Sequence, residues 1–210
     1  MKPILFCDFD GVINQFPYRW EKETDGSHDK EIEHGGRTSY GFFYDDFNDE
    51  KFFRADEFAM VSTSKGAFPI SYSSEIAERI KRLIVDDVVH FVWLTTWRDE
   101  AVSLLNPLLG LPEHVNYLHW TQKMSDYNHA GKGHAIMNYF GQNPEQAERS
   151  MVWIDDVATR NYYNWRESNG FVNNNKDNHV GFPDSKLILL TDEYYGISRA
   201  EMQAIEAFVR

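Results

Sequence analysis

The sequence predicts an α/β fold: a mostly parallel, Rossmann-like sheet with helices on both faces. Two observations carry this. Short apolar runs alternate with stretches of helical periodicity, and the runs are apolar throughout rather than on every second residue, as strands covered on both faces require. A third observation sets the function. Three of these runs end in polar, reactive side chains, at Asp8/Asp10, Thr95/Thr96 and Asp155/Asp156. Ligands of such sheets bind outside the carboxyl ends of the strands.

The elements follow in order. Pro3-Ile4-Leu5-Phe6-Cys7 reads as a buried strand, and Asp8-Phe9-Asp10-Gly11 leaves it with two carboxylates at a spacing of two. Along extended chain both acids face one side, and Gly11 permits a sharp exit. Residues from about 14 to 72 lack periodicity and read as an insertion, a small cap or flap over the carboxylates. It is aromatic at Phe16, Tyr18, Trp20 and Phe42, with a strand at 57–63 and a turn at Gly66. Asp45, Asp46, Asp49 and Glu50 lack the calcium-loop pattern and read as a solvated acidic face. Ser73 or Ser74 caps a helix with Ile76, Ala77, Ile80, Leu83 and Ile84 on one face. A strand at 88–94, a helix from Asp99 to about Leu109 and a short strand at 115–119 come next. A polar loop leads to Gly131-Lys132-Gly133 and a helix from about His134. A strand at 151–154 precedes Asp155, followed by a helix from about Thr159, an Asn-rich loop at 173–178, a strand at 186–190 and an amphipathic helix at 198–209. The 210 residues therefore read as one domain, 1–210, with the insertion at about 14–72.

Composition excludes several classes. A net charge of -12 disfavours strong nonspecific nucleic-acid binding, which needs clustered Lys and Arg. Cys7 is the only cysteine, so no intramolecular disulfide forms, and its strand setting predicts an inert buried thiol. Asp8 and Asp10 interrupt the first apolar run too early for a signal peptide, and no run is long enough to span a membrane; a cytoplasmic protein is expected. Lys132 belongs to no phosphate-binding P-loop, because position 126 is Asp and position 133 is Gly. The histidines lack zinc-site spacing.

Asp8, Asp10, Thr95, Lys132 and Asp155-Asp156, in that order and at those element ends, resemble the haloacid dehalogenase (HAD) superfamily of phosphohydrolases. Trp93-Leu94-Thr95-Thr96-Trp97, Trp153-Ile154-Asp155-Asp156 and the late pair Thr191-Asp192 and Gly196-Ile197 are similar to its small domains grouped with RNA-repair systems. The resemblance implies a HAD-like fold and a Mg²⁺-dependent phosphatase. Asp8 would be nucleophile and metal ligand, and Asp10 an acid/base whose backbone carbonyl also binds metal. Thr95 and Lys132 would hold the phosphate, and Asp155 would be a metal ligand. Asp156 would ligate directly, through water, or pair with Lys132.

Elementary chemistry fits these roles. A carboxylate can attack phosphorus, but its repulsion by phosphate must be neutralised. Thr96 and Arg98 are further candidates for contact with substrate phosphate; a surface position for Arg98 and a packing role for Trp97 are the alternatives. The expected partner is a phosphorylated small molecule or nucleic-acid end, with no membrane partner. A binding or regulatory module that keeps the fold without catalysis is the competing class.

Overall fold

The structure is a computed structural model that describes residues 1–16, 47–120, 131–168 and 182–210. Five parallel strands form the central sheet: β1 (Ile4–Cys7), β4 (His90–Trp93), β5 (Asn116–Tyr117), β6 (Met151–Asp155) and β7 (Lys186–Leu190), in spatial order β5-β4-β1-β6-β7. A two-stranded antiparallel hairpin, β2 (Glu57–Thr63) and β3 (Gly66–Tyr72), stands apart from it. From β1 the chain builds outward through β4 and β5, then returns to β1's other side for β6 and β7. The switch point thus lies at the carboxyl ends of β1 and β6.

Period-two alternation divides the core between two faces. Leu5, Cys7, Phe91, Trp93, Val152 and Ile154 point to one face. There they meet Ile76 and Ile80 of α1 (Ser74–Val85) and Met202 and Ile205 of the last helix, Arg199–Val209. Ile4, Phe6, Val92, Leu94, Met151 and Trp153 point the other way. They meet Ala135, Ile136 and Phe140 of the helix Gly131–Gln142 and Tyr162 of the helix Ala158–Ser168. The short helix Asn106–Leu108 is α2, and the three longer ones that follow are α3, α4 and α5. Helices therefore cover both faces, as expected. Each fully buried aliphatic or aromatic side chain contributes about 1.5–3 kcal/mol of transfer free energy.

Local differences from the sequence reading have physical reasons. Ser73 occupies the N-cap of α1, yet its side chain makes no capping bond. Asp56 takes that role from outside the helix, accepting from Ser74 N–H and Ser74 Oγ at 2.6 Å each. The helix expected from Asp99 begins there, but its stretch Ala101–Leu105 is π-helical and runs into α2. Helix α3 starts at Gly131, ahead of the expected His134. Two glycines argue against a helix start by propensity, but a Cβ at position 133 would lie 2.9 Å from the Tyr162 ring, so close helix–helix approach demands glycine there. Helix α5 carries a full capping box between Ser198 and Glu201. The hairpin expected in the insertion is present at 57–72. Tyr18, Trp20, Phe42, Asp45, Asp46 and the Asn-rich loop lie outside the described residues. Asp49 is exposed and pairs with Arg54 at 2.7 Å.

Candidate active site

The site begins with register. Cys7 lies opposite Trp93 on one side and Ile154 on the other, so the next residues, Asp8, Leu94 and Asp155, leave three adjacent strands at one level. Asp8 and Asp155 continue the alternation toward the face covered by α3. Lys132, in the first turn of α3, rises from that face between them. Its Nζ donates to Asp155 Oδ2 at 2.7 Å and to Asp8 Oδ2. The other Asp8 oxygen, Oδ1, accepts from Phe9 N–H at 2.7 Å. Asp155 Oδ1 accepts from Val157 N–H at 3.0 Å and from Ala158 N–H, so this carboxylate also caps α4. Thr159 Oγ1 donates to the Asp155 carbonyl at 2.9 Å.

Carboxylate oxygens of Asp8, Asp155 and Asp156 all lie within 4.8 Å of one another. Asp156 sits against the Gly11 turn, where a Cβ would come 2.3 Å from its Oδ2. Gly11 has φ +66 and so serves twice, in conformation and in clearance.

The electrostatics follow from three acids meeting one cation in a buried place. Burial and then the Asp155 charge push Asp156 up to about 6. Burial pushes Asp8 up too, against the pull of Lys132 and with Asp155 adding to the rise. Burial alone would lower Lys132, but the charges of Asp155 and Asp8 outweigh it and hold the ammonium above its usual range. Cys7 is fully buried; burial and then the neighbouring Asp8 and Asp155 raise its thiol, leaving it inert. Three carboxylates facing one ammonium leave negative charge in excess, and every donor is oxygen. That set fits a hard divalent cation such as Mg²⁺.

Asp10 is held differently. Its Oδ2 accepts from the Trp97 indole N–H at 2.9 Å and its Oδ1 from Asn14 Nδ2 at 2.8 Å. Its carboxyl thus lies apart from the Lys132 pairings, although only two residues separate it from Asp8. Thr95 is buried just past β4, its Oγ1 3.4 Å from Trp97 N–H. Trp120 ties it to the rest: Trp120 Nε1 donates to the Thr95 carbonyl at 3.4 Å, and Lys132 Nζ and the Arg98 guanidinium each stand 5.9 Å from the Trp120 ring. Arg98 has φ +53, an uncommon backbone state for a non-glycine residue, and Thr96 is exposed.

The late Thr191-Asp192 and Gly196-Ile197 pairs reach the same place from behind. Thr191 Oγ1 donates to the Gly11 carbonyl at 2.7 Å and Ile197 N–H to the Val12 carbonyl at 2.9 Å. They clasp the turn that carries Asp10. Sequence reasoning missed Asn14, Trp120 and the polar use of Trp97. The available signal was chemical: a buried indole still has an N–H to satisfy.

Fold and site together define a Rossmann-like α/β domain with an acidic centre at the switch point. The chain belongs to the family described as HAD domain in Swiss Army Knife RNA repair proteins, which matches residues 4–187. No curated protein and no solved structure matches it. Membership supports a hydrolase of phosphatase type, and the buried acid cluster is compatible with that chemistry. No helix among the described residues is long and apolar enough to cross a membrane.

Proposed function

We propose that this chain is a Mg²⁺-dependent phosphomonoesterase that works through an aspartyl-phosphate on Asp8. The observation that carries the reading is the convergence of Asp8, Asp155 and Asp156 within 4.8 Å, with the Lys132 ammonium between two of them. Asp8, Asp155, Asp156 and the backbone carbonyl of Asp10 would hold the cation. A bound Mg²⁺ supplies positive charge that offsets repulsion between the carboxylates and the substrate phosphate.

In the first half-reaction a carboxylate oxygen of Asp8 bonds to phosphorus and the bond to the leaving oxygen breaks. Asp10, protonated, gives that oxygen its proton and becomes a carboxylate. In the second, Asp10 takes a proton from water as the water oxygen bonds to phosphorus. The Asp8–phosphorus linkage breaks, releasing inorganic phosphate and restoring both acids. Thr95 donates its hydroxyl to a phosphate oxygen, and Lys132 adds fixed positive charge beside it. Thr96 and Arg98 contact the phosphate from the loop that leaves β4.

The substrate is a phosphomonoester, either a small metabolite or the end of a polynucleotide. The family description favours the latter. Turnover of 4-nitrophenyl phosphate with Mg²⁺, abolished by EDTA and by Asp8→Asn, is the expected result. Equal turnover by the wild type and Asp8→Asn overturns the mechanism, and no turnover by either favours a binding module. Oligonucleotides with 3′- or 5′-phosphates, compared with sugar phosphates and nucleotides, then assign the substrate; activity confined to monomers ends the repair assignment.

A further inference from the structure

We propose that Trp97 is the positioning residue of the acid/base: its indole N–H, with the amide of Asn14, fixes the Asp10 carboxyl for proton delivery to the leaving oxygen. This rests on the phosphatase reading above. Both oxygens of Asp10 are engaged, Oδ2 by Trp97 Nε1 at 2.9 Å and Oδ1 by Asn14 Nδ2 at 2.8 Å. Each carboxyl oxygen still has a second lone-pair direction for the travelling proton. The donors are neutral, so they orient the group without adding a charge beside it.

The indole is itself held. Trp97 is buried and meets Phe9 edge-on at 5.7 Å between ring centroids. From the hairpin, Phe68 of β3 meets it at 5.8 Å. Asn14 is tied to the same strand, its Oδ1 accepting from Ser71 N–H at 2.9 Å. Strand β3 thus braces both residues that orient Asp10, one by a ring contact and the other by a backbone bond. The hairpin's part in the reaction is to hold the acid's aim.

Leaving-group dependence separates this role from mere support of the fold. A 4-nitrophenolate departs as a stable anion, whereas an alkoxide needs the proton as the bond breaks. The test compares kcat/KM for 4-nitrophenyl phosphate and for an alkyl phosphate in the wild type, Trp97→Phe and Phe68→Ala, all with Mg²⁺ and with melting temperatures recorded. kcat/KM covers the steps up to departure of the leaving group.

For Trp97→Phe, which keeps a ring but removes the N–H, the alkyl-to-aryl ratio of kcat/KM is expected to fall about tenfold or more. For Phe68→Ala, at a partly exposed site, it falls in the same direction and by less. A folded Trp97→Phe protein with the wild-type ratio overturns the proposal, however far both rates drop. If Trp97→Phe does not fold, Phe68→Ala decides, and an unchanged ratio overturns the proposal. Wild-type protein inactive on both esters would instead remove the phosphatase reading, and this inference with it, before any variant is compared.

Discussion

Lys132 is the one cation among the described residues that bonds to both Asp8 and Asp155, and all three side chains are buried. Removing one partner of such a network leaves the others uncompensated. Lys132→Met is therefore expected to cost about 3–5 kcal/mol of stability, measured by denaturant unfolding in EDTA. Asp156 gives a pH signature of opposite kind. Its folded pKa of about 6 lies above the usual carboxylate value, so the native state holds its proton more tightly than the unfolded chain does. That contribution is fully present below about pH 4 and is lost as pH rises through about 6. Metal-free wild type should lose stability across this window relative to Asp156→Asn. Parallel pH–stability curves for the two proteins would contradict it.

At the scale of elements, the turn after β1 depends on distant chain. Gly196 has φ +73, and a Cβ there would lie 2.6 Å from the Val12 carbonyl oxygen. That carbonyl accepts from Ile197 N–H. Gly196→Ala should cost about 1–3 kcal/mol through backbone strain and clash, and should lower turnover because it shifts the turn bearing Asp10. Unchanged melting and turnover would count against the clasp. Asp8 and Asp155 were legible because strand ends are readable from apolar runs, and carboxylates at such ends have no role in a core; Lys132 was singled out only through the family resemblance. Bonds that close only in three dimensions were not legible. Nothing near position 73 says that Asp56 will accept the first N–H of α1, with Ser73 left idle. Asp155 divides its oxygens, Oδ1 accepting from the first N–H groups of α4 and Oδ2 from Lys132, a division that no spacing in the sequence reveals. Trp97 looked like packing because an indole's apolar area dominates its sequence signature; its donor shows only once Asp10 is beside it.

At the scale of the molecule, a cation held by the three acids would be linked to folding, because they are drawn together only in the native sheet. Mg²⁺ at one hundred times its dissociation constant should stabilise the fold by about 2.7 kcal/mol, reversed by EDTA and absent in Asp8→Asn/Asp155→Asn. A melting temperature insensitive to Mg²⁺ would argue against the carboxylate cluster as its site. The sheet strands themselves, the two helical layers and most strand boundaries were readable as expectation or by simple extension, since hydrophobic period is a local property. The topological order of the strands was not, since it is set by pairing across the whole chain.

Strand β1 sits at the middle of the sheet, with β4 on one side and β6 on the other. On a ribosome that placement imposes a schedule. When β4 has emerged, β1 can pair along one edge, but the other edge stays bare until residues 151–155 leave the exit tunnel. Asp8 is thus made well before Asp155, and the two meet only once β6 has paired with β1. A nascent chain arrested before β6 carries an open, wholly apolar strand edge and no complete acid cluster. Such an edge is open to wrong pairing until β6 covers it.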